Sequence, residues 1–421
     1  MEKLQPVRGT HDILPDEHEQ RRFITNQIAD LASCYGYNEI ATPIFEFTEV
    51  FQRTLGDTSD IVSKEMYTFE DRSGESITLR PENTAGVARA LISNGLTQSL
   101  PLKFFYSGPM FRYERPQKGR LRQFHQVGVE LLGVQETLGD IEIISLGAES
   151  LSKLGLLEKT RLEVNSLGDK ESRLNYREAL VGYLSQHSKS LSEDSLRRLS
   201  SNPMRILDSK EDSDKEILRN APNISEFLNE ESASFFAKVC AGLDKLGIVF
   251  EINQQLVRGL DYYCHTAFEF VTDELGSQGT VLAGGRYNDL VEMMGGVPTS
   301  GIGWAAGIER LASLTHFTSK KQRPISVIPI GDNALEKMLP IISSLRKSGF
   351  TIDLGFRGNL SKRMKRANLL NSCYAIIIGD DEIAKSLAVF RNLDTGDQHE
   401  VLLNQLHAEL TRLLPNSGIK N

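Results

Sequence analysis

The chain has 421 residues, enough for about two to four domains. Hydrophobic residues make up 40% and charged residues 25%, the proportions of a globular protein, and no apolar run approaches the ~20 residues that would span a bilayer. Net charge is −8, which counts against a uniformly basic nucleic-acid binder and leaves room for a local basic patch. The start of the chain, with Glu2, Lys3 and Gln5, has no apolar segment of signal-peptide type, so the expected compartment is the cytoplasm. Cys34, Cys240, Cys264 and Cys373 are scattered with no Cys-x-x-Cys, which suggests neither a zinc knuckle nor a disulfide framework.

In chain order, Phe23, Ile24, Ile28, Leu31 and Ala32 recur at helical spacing and predict a helix over 16–35, with Pro15 before it and Gly36 ending it. Residues 37–47 read as a strand interrupted by Pro43, which marks an edge or a bulge. Residues 66–69 and 77–80 predict a hairpin about the turn 71–74. Glu82, Asn83 and Thr84 then lead into an Ala-rich helix over 85–92, with Thr84 as a candidate N-cap. Residues 104–130 read strand, basic turn, strand, with Pro116 and Gly119 as turn punctuation. Side chains alternate along strands, so Arg112 and Glu114 share a face on one arm, and Gln126 and Glu130 on the other. Solvated hairpins carry such charges too, so spacing alone leaves both readings open.

Residues 139–154 predict a helix and 160–166 a short strand; 170–247 is polar and helix-rich, an inserted module whose mixed charge reads first as a solvated face. Strand pattern resumes at Phe250. Arg258-Gly259 followed by Tyr262 and Tyr263 suits a pocket wall, and the glycines of Ala283-Gly284-Gly285-Arg286-Tyr287 would let backbone approach a small ligand. Residues 301–311 carry glycines in the wrong spacing for a dinucleotide loop. After a linker at 319–324, strands at 325–330, 351–354 and 374–378 alternate with helices at 335–347 and 360–370, predicting a small α/β domain with a mainly parallel sheet. Arg357, Lys362, Arg363, Lys365 and Arg366 cluster where no acid occurs between Asp353 and Asp380. Such a basic helix is either a solvated face or an RNA contact.

Phe111-Arg112-Tyr113-Glu114, the basic loop, and Arg120 four residues before Phe124 resemble motif 2 of class II aminoacyl-tRNA synthetases. The helix and proline-bearing strand of 16–47 resemble motif 1, and Gly301 to Leu311 motif 3. The strings from Leu256 to Tyr263 and from Ala283 to Tyr287 are similar to two signatures of the histidyl-tRNA synthetase family. The resemblance implies an α+β fold: a class II antiparallel sheet flanked by helices, in parts 1–169 and 248–318 around an insertion at 170–247, then an anticodon-binding α/β domain at 325–421.

It also implies a ligase. Histidine would be activated by ATP to the adenylate with loss of pyrophosphate, then transferred to the 3′ end of tRNA by a homodimer, with Mg²⁺ bound mainly through ATP. Arginine suits the first step because it holds anions without losing its proton. Arg112 and Arg258 would grip the α-phosphate and carboxylate, and Arg310 the γ-phosphate. Phe124 would stack on adenine, Glu114 contact its edge, and Arg120 touch phosphate or the acceptor stem. Neutral imidazole offers one donor and one acceptor, so Glu130 and Tyr263 would satisfy it, with Tyr262 shaping the wall. Glu82, Thr84 and Gln126 would take the ammonium, beside Asn83. Asn83 and the large Trp304 depart from the usual pattern and put the pocket's shape in question. A tRNA-binding role falls to the five basic residues 357–366, and the insertion is a further candidate. The alternative is a non-catalytic, histidine-sensing regulatory paralogue; such relatives typically lack the C-terminal domain and have eroded ATP motifs.

Overall fold

The computed structural model describes residues 3–56, 61–115, 120–319 and 322–414. The expected turn at Pro116 and Gly119, and residues 320 and 321 of the linker, lie outside the described residues. The chain divides into two compact units, Met1–Phe317 and Thr318–Asn421.

The first unit is built on an eight-stranded sheet. Its order is Asn38–Glu39, Leu102–Phe111, Gln123–Leu132, Gly301–Gly307, Thr280–Tyr287, Cys264–Val271, Arg161–Ser166, Phe250–Ile252. The central strands pair antiparallel, and the two edge strands pair parallel to their neighbours. Alternation sorts the side chains. Val127, Val129 and Leu131 join Ile302 and Trp304 in a core with the helices Pro15–Cys34, Thr137–Lys153 and Glu230–Lys245. Gln126 and Glu130 therefore face the other side, where Tyr106, Met110, Tyr262, Tyr263 and Tyr287 form a second core with the helix Thr84–Ser93.

Arg286, on the helix side of Thr280–Tyr287, is 1% exposed and forms an ion pair with the fully buried Asp140. Its Nη1 also donates to the Val134 carbonyl at 2.8 Å, so the buried charge is paired and hydrogen-bonded. This ties the central strand to the first turn of the helix Thr137–Lys153.

Residues 37–47 are two strands in two sheets, not one interrupted strand. Asn38–Glu39 edges the large sheet, and Phe45–Phe47 joins a three-stranded sheet ordered Phe45–Phe47, Ser76–Leu79, Tyr67–Glu70. Arg80 Nη1 holds the chain between them by donating to the Thr42 carbonyl at 2.9 Å. Between Arg161–Ser166 and Phe250–Ile252 lie the helices Lys170–Gln186, Glu193–Ser201, Asp212–Leu218 and Glu230–Lys245. Tyr176, Leu180, Leu184, Ile206 and Leu218 form a core of their own there. The last helix instead sends Val239 and Leu243 into the main core.

The second unit has a five-stranded sheet ordered Ile352–Leu354, Ile325–Pro329, Tyr374–Ile378, Leu387–Asn392, Gln398–Leu402. The first three strands are parallel and the last two antiparallel, so the sheet is mixed where a mainly parallel one was expected. The difference is a C-terminal hairpin, Leu387–Asn392 and Gln398–Leu402, whose second strand carries Gln398, His399 and Glu400 and has no apolar run.

Candidate active site

A cavity of about 770 Å³ opens in the first unit between the hairpin, the 254–263 loop and the strand Gly301–Gly307. Arg112, Arg120, Arg258 and Arg310 all line it, as do Glu82, Thr84, Glu114, Phe124, Gln126, Tyr262 and Tyr263. Residues far apart in sequence thus meet at one site. Two expected residues do not reach it.

The hairpin arm ends at Phe111, so Arg112 and Glu114 stand beyond the strand. Arg112 Nε donates to the Pro81 carbonyl at 2.9 Å, and its guanidinium lies 5.3 Å from the Phe124 ring centroid. Arg120 pairs with Glu114 at 2.9 Å. Arg258 pairs with Glu269 and lies 5.5 Å from the Tyr263 ring centroid. Burial opposes the Arg258 charge, but Glu269 outweighs it, and the guanidinium is held above its ordinary range. Arg310 Nη1 donates to the Thr280 carbonyl at 2.5 Å. Burial first, then the like charge of Arg120, lowers the Arg310 pKa. Several guanidinium groups lining one cavity form an electrostatic seat for a polyanion.

Acidic and neutral polar groups line the same cavity. The Glu82 carboxylate accepts from the Thr84 and Ala85 backbone N–H groups at 2.7 and 2.9 Å. It, and not Thr84, caps the helix Thr84–Ser93. Burial raises the Glu82 pKa, and those backbone donors offset part of the rise. Gln126 Oε1 and Arg258 Nε are buried with no hydrogen-bond partner among the described residues, the condition of groups that await a polar ligand.

Glu130 does not line the cavity. It is 1% exposed, and both its oxygens are engaged within the protein. Oε1 accepts from Thr84 Oγ1 at 2.7 Å and Tyr106 Oη at 3.4 Å, and Oε2 accepts from the Tyr287 hydroxyl. Burial pushes its pKa up to about 8. Gly303 makes the space: a Cβ there would stand 2.0 Å from Glu130 Oε2. Asn83 is also turned away. Its Oδ1 accepts from Thr42 Oγ1 at 2.6 Å and Arg80 Nη1 at 3.2 Å, and it is 1% exposed. Gly284 and Gly285 accommodate protein, not ligand: a Cβ at Gly285 would meet the Tyr263 ring at 2.8 Å. Trp304 lines the cavity while it packs in the main core.

Sequence reading missed Glu269, which aims Arg258, and Tyr106 and Tyr287, which hold Glu130. Glu269 was findable as the one acid within the apolar strand Cys264–Val271.

In the second unit Arg357, Lys362 and Lys365 are exposed. Arg366 pairs with Asp353 at 2.8 Å, and Arg363 Nε donates to the Gly358 carbonyl at 2.8 Å. Among the described residues, no group of three or more His, Cys, Asp or Glu side chains could hold a metal ion. No helix there is long and apolar enough to cross a membrane.

The antiparallel sheet, its hairpin and the arginine-lined cavity are those of a class II aminoacyl-tRNA synthetase fold. Residues 9–311 match the histidyl-tRNA synthetase family, and residues 325–413 match the anticodon binding domain. The chain is 57% identical over 415 residues to a histidine–tRNA ligase of Rhodospirillum rubrum, covering 98% of this chain and all of that one. It is 52% identical over 413 residues to the protein of that name in Gluconacetobacter diazotrophicus, with 98% and 100% covered. Among solved structures, that of apo S. aureus histidyl-tRNA synthetase matches with a TM-score of 0.80 at 35% identity, covering 97% of this chain and 99% of that one. The chain belongs to the histidyl-tRNA synthetase family.

Proposed function

We propose that this chain joins L-histidine to tRNA in two steps. A histidine carboxylate oxygen attacks the α-phosphorus of ATP and pyrophosphate leaves; the 3′-terminal ribose hydroxyl of tRNA then takes the histidyl group and AMP leaves. The observation that carries the reading is one cavity lined by Arg112, Arg120, Arg258 and Arg310 together with Glu82, Gln126, Tyr262 and Tyr263. Cations beside a carboxylate, an amide and two hydroxyls fit a triphosphate beside an amino acid. Catalysis then needs two anions held in line and charge on the phosphorus oxygens stabilised.

In this reading Arg112 and Arg258 bracket the α-phosphate and Arg310 meets the γ-phosphate. Phe124 and Glu114 hold adenine, and Arg120 reaches phosphate. Magnesium enters with the nucleotide, coordinated by phosphates and water. Glu82, Thr84 and Gln126 take the ammonium, and the imidazole lies against Tyr262 and Tyr263. Glu130 acts from behind that wall by fixing Thr84 and Tyr287. The regulatory alternative is set aside: the three ATP-contacting arginines and the anticodon-binding unit are all present.

The exposed Arg357, Lys362 and Lys365, with Phe356 at 75% exposure, form the tRNA-facing patch. Phe45, Phe47 and Phe69, each about half exposed on the three-stranded sheet, form the face that a second copy covers. Pyrophosphate exchange tests the reading. Label should enter ATP with L-histidine and with no other amino acid; exchange driven by a different amino acid refutes it.

A further inference from the structure

Residues 254–263 carry Arg258, Tyr262 and Tyr263 yet form neither helix nor strand. Buried carbonyls in such a segment need partners from outside it. The inserted helices supply them. Arg173 Nη1 donates to the Tyr263 carbonyl at 2.8 Å, and Nη2 to the Asp261 carbonyl at 3.3 Å. Asn202 Nδ2 donates to Asp261 Oδ1 at 2.9 Å, and Gln255 Nε2 donates to the Leu218 carbonyl at 3.3 Å. One guanidinium therefore spans two carbonyls that flank Tyr262, a geometry suited to the planar fork of arginine.

Arg173 itself is firmly seated. It lies in the first turn of Lys170–Gln186, where Asp169 accepts from the Ser172 N–H at 2.8 Å. Asn229, at the far end of the module, donates to Asp169 Oδ2 at 2.7 Å and, through its backbone N–H, to Ser172 Oγ at 3.1 Å. Both ends of the module are thus knotted at the root of Arg173. Between module and loop lies a second cavity of about 360 Å³, and beside it Val257 of the loop packs against the module's core, so the hydrogen bonds act together with apolar contact. The Arg258 side chain is aimed separately, by Glu269 from the strand Cys264–Val271.

We propose that Arg173 is a positioning residue for histidine activation: the inserted module holds the backbone of the loop that presents Tyr263 and Arg258 to the cavity. The kinetic half of this rests on the function proposed above. The structural half does not. In Arg173→Ala, amide hydrogen exchange over 256–263 should rise by about tenfold or more while the strand Gln123–Leu132 stays as protected as before. The KM for histidine should rise about tenfold with the KM for ATP within about twofold, and Arg173→Lys, which keeps the charge but loses the planar fork that spans two carbonyls, should fall between. Asn202→Ala, a milder change on the same loop, should loosen it in the same direction. Unchanged exchange over 256–263 in both Arg173→Ala and Asn202→Ala overturns the clamp, whatever the substrate. A loosened loop with an unaltered histidine KM, or equal losses for histidine and ATP, overturns the positioning role. Activation of another amino acid by the wild-type chain, together with a loosened loop in the variant, refutes the proposed function and leaves the clamp standing.

Discussion

Glu130→Gln isolates the electrostatic cost of the buried carboxylate. Burial pushes Glu130 from its ordinary 4.5 to about 8. The native state therefore holds a proton between those values that the unfolded chain has lost. Stability through this group is undiminished below pH 4.5, falls as pH rises toward 8, and then levels off. The slope is about 1.4 kcal/mol per pH unit, so by pH 7 the wild type has lost about 3 kcal/mol through this one group. Glutamine is neutral throughout. Its carbonyl can still accept from Thr84 and Tyr106, and its amide can donate to the Tyr287 oxygen. Glu82, also raised by burial, bends both curves in the same direction. Trp304, the sole tryptophan, is buried next to Gly303 and reports on this unit. Urea unfolding followed by its fluorescence from pH 5 to pH 8 should show the variant gaining on the wild type with each pH unit. Parallel curves would refute the reasoning.

Arg258→Ala should slow single-turnover adenylate formation by about 10²-fold while ATP binding changes only a few-fold, because Arg112 and Arg310 remain; quench-flow and equilibrium binding read the two. Arg286→Met strips the partner from the buried Asp140 and should cost about 3–5 kcal/mol in unfolding free energy. Arg286→Met combined with Asp140→Leu should regain most of that loss. On the proposal that a second copy covers the exposed aromatic face, the wild type should sediment as a dimer and Phe47→Glu as a monomer, with thermal unfolding of Thr318–Asn421 unaltered.

Alternation along 104–130 was enough to place Gln126 and Glu130 on one face of the sheet. It could not show how deep each lies. Glu130 is sealed because Tyr106 and Tyr287 reach it from separate strands and Gly303 leaves room for its carboxylate, and such convergence is invisible in local spacing. Asn83 is turned from the cavity for a similar reason: its partners, Thr42 and Arg80, come from chain that reads as ordinary strand. Glu82 was singled out from its place at a strand-to-helix junction, and there it both caps the helix and faces the cavity. In the C-terminal hairpin the strand Gln398–Leu402 escaped because His399 and Glu400 leave it no apolar run, whereas 387–390 does carry a short one of the kind that marked the buried strand Tyr374–Ile378. Basic residues at 357–366 were legible as a cluster, but the pairing of Arg366 with Asp353 was not.

A crystal structure with ATP and histidinol, which lacks the reactive carboxylate, tests the central claim most directly. The α-phosphate should lie between Arg112 and Arg258, the γ-phosphate at Arg310 and the imidazole against Tyr263. A triphosphate bound away from those guanidinium groups, or an imidazole outside the Tyr262–Tyr263 wall, would contradict it.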